Sequence, residues 1–554
     1  MSNIEQGIQN SALWAAAGDA LGWISELVDH AGLRRRAGES SLSRTIPWKR
    51  KIGGLGGIEA PLPAGTYSDD TQLRLAVGRA IRSDGSFDVE AFAKIELPVW
   101  ATYALGAGRG TRAAAANLVK RDVNWFSNFF SSKGSSYVNA GGNGAAMRIQ
   151  PHVWANASNL KGSGYLTGVV KDSLVTHGHM VGVCGALFHA QCLAHVFSER
   201  MLPGPDDWMR FVDDFYSIDR VVRSDGQLSQ FWLGAWEQLS KTSLDQAIAK
   251  VADLAKGYVR AAKEASEGDN NAYTFLLDSM ECRGRFLGAG INTAIAAAYL
   301  AWTSADAETA VLRASNAIGS DTDTIGTMAG ALSGVLAEAP LDWQLQDRGY
   351  ILSEARRMFL VTEKRESGSF SYPDLSVWRS PRMQWDAVGV VGGRTAVKGL
   401  GFGEFFEDEL VSPSASWRWI RLDFGQTILC KFRTGKLIRF QKDQLPGVMM
   451  YKDRANPSAP IATTSSERST VKSGDPHTSG LFDGVQRLPE SSREGAEIES
   501  IDELTNRVIR SGFDSKVLGE CFKLCLSGAD SIERGIAFSA IVGKAILARR
   551  RKGQ

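Results

Sequence analysis

Cysteine is scarce in this 554-residue chain, and the spacing of the few cysteines excludes the commonest zinc sites. The six residues are Cys184, Cys192, Cys282, Cys430, Cys521 and Cys525. No two of them have the CxxC spacing of a zinc site. Cys521 and Cys525 lie four residues apart and would share one face of a helix, but two ligands do not complete a metal site. We therefore expect free, buried thiols in a reducing compartment.

Long apolar runs and a strong net charge are also missing. The most apolar run, residues 291–302, is too short to cross a bilayer. The N-terminus lacks a basic start followed by an apolar core, so we expect no secretory signal. A net charge of +2 gives no global reason to expect membrane or direct nucleic-acid binding. These absences favour a cytoplasmic protein.

The first two thirds of the chain have a helical pattern. Between residue 5 and about residue 360, Ala-rich amphipathic stretches alternate with glycine-rich breaks, as at 113–119, 244–264 and 305–317. We expect a helical domain over residues 1–365, with functional loops at the ends of helices. At 554 residues, the chain as a whole is too long for one ordinary core, and two or three domains are expected.

Beyond about residue 375 the pattern changes. Alternating residues over 417–424, 427–432 and 436–440 predict a small antiparallel β-meander within a β-rich module over 375–453. Gly392 and Gly393 precede it without a following GKS or GKT, so we interpret them as a turn and not as a nucleotide loop.

The last hundred residues divide into two further predicted segments. Residues 454–499 are rich in Ser, Thr, Pro, Gly and Glu and nearly free of aromatics, which predicts a flexible linker. Residues 500–554 are helical again. The spacing of Ile532, Ile536, Ala540 and Ile541 predicts an apolar stripe. So short a segment makes a thin core, so we expect it to pack on another element or a protein partner.

Two clusters of carboxylates and hydroxyls are the most informative positive feature. The first is Ser68, Asp69, Asp70 and Thr71, and the second is Asp321, Thr322, Asp323 and Thr324. Each comes where an apolar helical pattern begins, so either alone could simply cap a helix. Two all-oxygen clusters in one chain instead favour a composite site for hard divalent cations. Mg²⁺ prefers oxygen ligands and would offset the repulsion between the carboxylates.

Three further motifs complete a recognisable set. They are Gly18, Asp19, Ala20, Leu21 and Gly22 followed by Glu26, then the loop of residues 142–148, and then Thr176 with His177. In this order, with the two acidic clusters, the chain resembles the ADP-ribosylglycohydrolase family over roughly residues 5–360. That family includes dinitrogenase reductase-activating glycohydrolases and ADP-ribosylarginine hydrolases. The resemblance implies a compact, orthogonal all-α domain that removes ADP-ribose from modified proteins or related conjugates.

The resemblance also assigns roles to individual residues. One half of a site for two Mg²⁺ ions, or alternatively Mn²⁺, would be Ser68, Asp69 and Asp70, and the other half Asp321, Asp323 and Thr324. Glu26 stands seven residues after Asp19, where the family has its catalytic or gating glutamate. Gly142, Asn143, Gly144 and His177 would bind the ADP-ribose ligand. Ser68 stands where Thr is frequent in the family, and Ser320 stands where Gly is frequent. Neither difference removes a ligand atom.

Three readings of the function remain open from the sequence. The first is a Mg²⁺-dependent hydrolase that reverses mono-ADP-ribosylation, with an arginine, serine or non-protein linkage as its target. The second is a catalytically silent family member that binds ADP-ribose. The third is a two-metal phosphoesterase acting on nucleotide sugars, which would release AMP. The appended C-terminal part suggests recruitment of a modified partner or immunity to an ADP-ribosylating toxin.

Overall fold

The computed structural model describes most of the chain. It covers residues 3–447 except 55, 133, 163, 268–271, 340, 414 and 434–436, and residues 499–551 except 527–530. The chain divides into two compact units, residues 1–453 and 454–554, which are described separately. The predicted linker lies outside the described residues apart from position 499.

Helices dominate the first unit up to residue 362. They are α1 (Asn3–Ser25), α2 (His30–Ala37), α3 (Asp69–Ala80), α4 (Val89–Ala91), α5 (Leu97–Tyr103), α6 (Arg109–Leu118), α7 (Gln150–Trp154), α8 (Gly164–Thr176), α9 (Met180–Glu199), α10 (Pro205–Asp213), α11 (Ser217–Ser224), α12 (Leu233–Ser240), α13 (Leu244–Ser266), α14 (Ala272–Ser279), α15 (Gly290–Thr303), α16 (Ala307–Ser315), α17 (Thr322–Gly334) and α18 (Arg348–Thr362). The predicted helices at 113–119, 244–264 and 305–317 are confirmed as α6, α13 and α16, with shifted ends.

Helices α1 and α17 pack backbone to backbone at the centre of the unit. A Cβ atom at Gly18 would lie 2.2 Å from the carbonyl oxygen of Gly326, and one at Gly22 would lie 2.3 Å from that of Thr322. Cβ atoms essentially never approach other atoms within 3.0 Å, so these two positions require glycine. The contact brings the end of α1, where Glu26 follows, to the beginning of α17.

The helical region also contains two hairpins that the sequence did not predict. Strands β1 (Trp48–Ile52) and β2 (Ile58–Leu62) pair antiparallel, with Trp48 opposite Leu62. A shorter pair is formed by β3 (Ser131–Ser132) and β4 (Ser135–Ser136). Five-residue and two-residue strands contain too few alternations to stand out among helices. The region nevertheless remains mostly helical, as predicted.

A six-stranded sheet forms the β-module. Its strands are β5 (Val388–Val391), β6 (Arg394–Val397), β7 (Gly401–Val411), β8 (Ser416–Leu422), β9 (Thr427–Phe432) and β10 (Ile438–Arg439), in the spatial order β10-β5-β6-β7-β8-β9. The predicted hairpin of β8 with β9 is confirmed, with Trp417 opposite Lys431. The third predicted strand is present as β10, but its predicted antiparallel position beside β9 is wrong. β10 is too short to specify a register, and it pairs parallel with the open edge of β5 at the far side of the sheet.

Gly392 and Gly393 form the turn that the sequence predicted. They join β5 to β6 as a two-residue loop, and their φ angles are +59° and +86°. Positive φ at both central residues defines the type I′ geometry whose twist matches that of the flanking strands.

The β-module packs directly on the helical part. Arg79 of α3 forms a fully buried ion pair with Glu96 at 2.8 Å and donates to the side chain of Gln426 at 2.7 Å. Asp347, just before α18, accepts hydrogen bonds from the Tyr67 hydroxyl and the Thr427 amide. Residues 1–453 therefore form one compact unit, and the boundaries proposed at 365 and 375 stay predictions.

Helix α9 is the one helix among the described residues that is long and apolar enough, by length and composition alone, to cross a membrane. Most of its residues are buried inside the first unit. A Cβ atom at Gly185 would lie 2.3 Å from the backbone of Gly290, so α9 touches the start of α15. Burial among other helices accounts for its apolar composition.

All six cysteines are buried and free, as expected from their spacing. Two of them lie in the second unit, where α19 (Ile501–Arg510), α20 (Ser515–Cys525) and α21 (Ser531–Arg551) share a small core. That core contains Leu504, Val508, Cys521, Cys525, Phe538 and Val542.

The residues of the apolar stripe predicted on α21 are exposed where they are described, and their packing on a partner stays a prediction. Ile536 and Ile541 are 47% and 38% exposed, whereas Phe538 and Val542 are buried. The helix has apolar residues on more than one face, and α19 and α20 cover the face of Phe538. The side chain of Ile532 lies outside the described residues.

Candidate active site

Several segments of the first unit meet around a cavity of about 920 Å³. They are the end of α1, the N-terminal turns of α3 and α17, the segment that leads into α6, the β3–β4 hairpin and the loop of residues 139–144. Because two helix starts converge here, their acidic side chains face the same space.

Asp19 anchors the first acidic cluster. Its Oδ1 accepts a hydrogen bond from the Ser68 amide at 2.9 Å, and its Oδ2 accepts one from the Thr71 amide at 2.8 Å. The Ser68 hydroxyl caps the same helix by accepting from the Asp70 amide. Asp19 on α1 therefore fixes the first turn of α3, which carries Asp69 and Asp70 into the cavity.

We expect Asp19→Asn to lower the free energy of unfolding by about 1–3 kcal/mol, because one backbone amide of α3 would lose its acceptor. Activity should fall as well, since the same bonds orient Asp69 and Asp70. Urea unfolding followed by circular dichroism gives the first quantity. Unchanged stability and activity would show that Asp19 does not hold α3.

The second acidic cluster begins α17. Asp321 lies at the position before the first helical residue, and its Oδ2 accepts a hydrogen bond from Asn143 Nδ2 at 2.8 Å. The amide of Thr324 donates to Asp323 Oδ1 at 2.8 Å. Asn143 thus joins the glycine-rich loop to the acidic cluster.

The carboxylates of the two clusters disfavour one another's charge. Burial, followed by the negative charges of Glu26 and Asp19, raises the pKa of Asp69 to about 8. Burial and the neighbouring carboxylates likewise raise the pKa values of Asp70 and Asp323 well above their usual range. A bound cation would remove this penalty, because it would attract each ionised carboxylate.

The residues fit a divalent cation in their chemistry. All the donors are oxygens, and the Asp70 Oδ2 atom is buried without a hydrogen-bond partner. Across the ranges that the structure covers, no group of three or more His, Cys, Asp or Glu side chains is already arranged to hold a metal ion. The metal site therefore stays a prediction.

Arg74 supplies positive charge behind the first cluster, and the sequence reasoning missed it. Its guanidinium is buried and donates to the hydroxyls of Thr71 and Thr327 at 2.7 and 2.8 Å. Burial lowers its pKa to about 10, against the opposing influence of Asp19 and Asp70, so it stays charged at neutral pH. Its position one helical turn after Asp70 and Thr71 was the available signal.

Glu26 lies just past the end of α1 and is held by a residue from β1. Arg50 donates to Glu26 Oε2 at 3.0 Å, and its guanidinium lies over the ring of Trp23 at 4.8 Å. Arg36 donates to the backbone oxygen of Glu26 at 2.9 Å. Burial outweighs the opposing charge of Arg50 and raises the pKa of Glu26. No sequence motif indicated Arg50, because the contact depends on an unpredicted hairpin.

Two glycines let backbone approach the acidic side chains. A Cβ atom at Gly106 would lie 2.2 Å from Asp69 Oδ1, and the φ angle there is +125°. One at Gly288, where φ is +72°, would lie 2.9 Å from Asp321 Oδ2. Both positions combine limited space with a left-handed backbone, so substitutions there would disturb the clusters.

The glycine-rich loop is fixed from behind by Arg148. The guanidinium of this residue is buried, forms an ion pair with Asp172 at 2.8 Å and donates to the Gly144 oxygen at 2.8 Å. Arg148 thus supports the loop and does not line the cavity. His177 does line it, and its Nδ1 lies 2.7 Å from the Thr176 hydroxyl. Burial, and then the charge of Arg148, lowers the pKa of His177 to about 3, so the ring is neutral.

Buried His189 predicts a pH-dependent loss of stability. Burial, and then Arg74, lowers its pKa to about 3 in the native state, whereas an unfolded histidine titrates near 6.5. Between these values the unfolded chain binds more protons at this residue, so the contribution of His189 to the free energy of unfolding falls as pH drops below about 6.5, opposite in sign to that of Asp69, whose pKa is raised. Each such histidine contributes about 1.4 kcal/mol per pH unit. His189→Gln should reduce this slope by one proton in urea unfolding at pH 4.5–6.5, and an unchanged slope would contradict the assignment.

The structure brings together nearly all the residues that the sequence selected. Those lining the common cavity are Glu26, Asp69, Asp70, Gly142, Asn143, Gly144, His177, Asp321, Asp323 and Thr324. Ser68 is fully buried and caps α3 without lining the cavity. Whether these residues bind metal or ligand stays a prediction.

A sequence model of the ADP-ribosylglycohydrolase family matches residues 4–368. The chain therefore belongs to the ADP-ribosylglycohydrolase family, and the match includes every residue of the candidate site. One similar solved structure is titled "ADP-ribosylglycohydrolase-related protein complex". Its sequence is 18% identical, and the aligned region covers 65% of this chain and 100% of the other chain, with a TM-score of 0.41. No curated protein matches the chain at a significant level.

Proposed function

We propose that this protein is a Mg²⁺-dependent hydrolase that cleaves the glycosidic bond between ADP-ribose and a modified protein side chain. The main observation in support is that Glu26, the carboxylates of α3 and α17 and the loop of residues 142–144 line one cavity. Its volume of about 920 Å³ lies in the range of small-molecule sites. Family membership supports ADP-ribose as the ligand.

The metal-binding residues in this proposal come from both helix starts. Asp69 and Asp70 would hold one side of a two-Mg²⁺ centre, and Asp321, Asp323 and Thr324 the other. Ser68, whose hydroxyl accepts from the Asp70 amide, would contribute through the second lone pair of the same oxygen. When bound, Mg²⁺ would supply positive charge that orients the ribose hydroxyls and acidifies water.

Side chains of the protein would carry out the proton transfers and stabilise the transition state. Glu26, positioned by Arg50, would take a proton from the attacking water. The water oxygen would bond to the anomeric carbon while the bond to the side-chain nitrogen or oxygen breaks. The proton would pass from Glu26 to the departing side chain. Nearby carboxylates would stabilise the positive charge that develops on the ribose.

The other end of the ligand would use the glycine-rich loop. Backbone amides of Gly142 and Gly144 suit a pyrophosphate, because glycine permits close approach and each amide is a donor. Neutral His177 suits contact with the adenosine side and not proton transfer, since its pKa lies far below neutral.

The proposed setting is a cytoplasmic one in which the second unit recruits a protein partner. Six buried, free thiols are consistent with a reducing, cytoplasmic compartment. The second unit has a small core and exposes Ile509 and Phe522, which suits a protein partner. Recruitment of such a partner would fit immunity to an ADP-ribosylating toxin. Removing residues 454–554 without loss of protection in toxin-expressing cells would contradict this role.

The enzymatic proposal is tested with peptides that carry mono-ADP-ribose on arginine or on serine. Release of ADP-ribose is measured with Mg²⁺, with Mn²⁺ and with a chelator. We expect release from at least one peptide with the metal and none with the chelator. ADP-ribose binding without release from either peptide would instead favour the catalytically silent alternative.

A further inference from the structure

A second cleft, of about 520 Å³, opens directly beside the candidate active site. Arg50, Gly106, Ala107 and Arg112 line both spaces, so the cleft and the cavity are adjacent. These shared residues lie beside the acidic side chains of the cavity, because Arg50 binds Glu26 and Gly106 lies against Asp69. The cleft therefore begins where the proposed bond cleavage takes place.

One wall of the cleft comes from the β-module. Gln384, Trp417 and Leu429 contribute to it, and all three follow residue 368, where the family match ends. Trp417 packs against the β1–β2 hairpin, since a Cβ atom at Gly53 would lie 2.7 Å from its ring. The hairpin that carries Arg50 is thus held between the helical region and the sheet.

The lining of the cleft is cationic and aromatic. Its described lining includes Arg50, Lys51 and Arg112 and no carboxylate. Because Arg50 is paired with Glu26, Lys51 and Arg112 supply the positive charge that the cleft offers to a ligand. Trp417 also has the Lys431 ammonium 4.8 Å from its ring. Such a surface attracts carboxylates and excludes further cations, while the indole and phenol rings add apolar contact area.

We propose that this cleft is the subsite for the polypeptide that carries the modified residue, and that it selects acidic residues flanking that residue. The inference rests on the proposed function for the placement of the leaving side chain. It assigns the β-module a role in substrate selection, because the module supplies a wall beside the scissile bond that the family region lacks.

The binding test uses fluorescently labelled peptides without ADP-ribose, so that it does not depend on catalysis. One peptide has Asp and Glu around a central arginine, and the other has Lys at the same positions. Anisotropy with the full-length protein should give at least 10-fold tighter binding of the acidic peptide. Equal affinities, or equally tight binding of a single-stranded oligonucleotide, would overturn the proposal.

Matched variants locate the binding. Gln384→Glu adds a carboxylate to the exposed β-module side of the cleft, and we expect it to weaken acidic-peptide binding at least 5-fold. Gln441→Glu makes the same change at an exposed position of the module outside the cleft lining, and it should leave the affinity unchanged. An equal effect of both variants would show nonspecific charge attraction and overturn the assignment.

A second experiment distinguishes failure of this inference from failure of the proposed function. The wild-type protein is given ADP-ribosylarginine without a peptide. Cleavage of this small substrate, together with equal peptide affinities, would retain the hydrolase and reject the subsite. Selective acidic-peptide binding without cleavage of any ADP-ribosyl substrate would retain the cleft as a peptide site and reject the hydrolase.

Discussion

Asp321→Ala is expected to lower the rate of ADP-ribose release by about 10³-fold or more, which corresponds to at least ~4 kcal/mol of transition-state stabilisation. The substitution removes a carboxylate from the start of α17 and also the acceptor of the Asn143 hydrogen bond. Both effects disturb the same end of the cavity. The rate is measured on the better of the two ADP-ribosylated peptides at saturating Mg²⁺. Asp342→Ala, at an exposed position outside the cavity, should retain wild-type activity.

A thermal shift gives this prediction a readout that does not depend on turnover. A ligand that binds only the native state raises its stability, by about 2.7 kcal/mol at a concentration 100 times the Kd. Mg²⁺ should therefore raise the melting temperature of the wild-type protein and of Asp342→Ala. It should have little effect on Asp321→Ala. A shift of equal size in all three proteins would place the metal elsewhere.

Gly18→Ala is expected to be the most destabilising single methyl addition in the chain's central helix pair, with a cost of at least ~3 kcal/mol. The new Cβ atom would lie 2.2 Å from a backbone oxygen of α17, and neither helix can yield by rotating a side chain. Because α1 and α17 carry Glu26 and the second acidic cluster, separation of the helices should also reduce activity.

Gly257→Ala is the matched control for this substitution. Gly257 lies inside α13, and no atom beyond the adjacent backbone of its own helix lies within 4 Å of the added Cβ, so alanine should be neutral or stabilise by up to ~1 kcal/mol. Urea unfolding of the two variants tests the difference. Similar midpoints for Gly18→Ala and the wild-type protein would show that the helix pair does not require contact at this position.

The helix starts were predictable because their signals are local. Ser68 and Asp321 precede apolar spacing that continues for three turns, and the structure begins α3 and α17 at the next residue in each case. The start of α17 meets α1 because Gly18 and Gly22 lack side chains, and Asp19 holds the start of α3 to the same helix. The sequence spacing indicated that Gly18 and Gly22 belong to one motif. It did not show why both must be glycine, because the atoms that exclude a side chain belong to α17.

The supporting charges were less predictable because they depend on distant contacts. Arg50 reaches Glu26 from a hairpin whose short strands leave little pattern, and it is one arginine among several in that region. The position of β10 shows the same limitation. Two residues do not determine which edge of a sheet they join, so their order in the chain suggested the wrong neighbour.

Mass spectrometry of both products from one reaction tests the central claim most directly. The substrate is a peptide with ADP-ribose on its susceptible residue, incubated with the protein and Mg²⁺. Glycosidic cleavage predicts the peptide at its unmodified mass together with intact ADP-ribose. AMP together with a peptide that retains phosphoribose would contradict it, because the broken bond would then be the pyrophosphate.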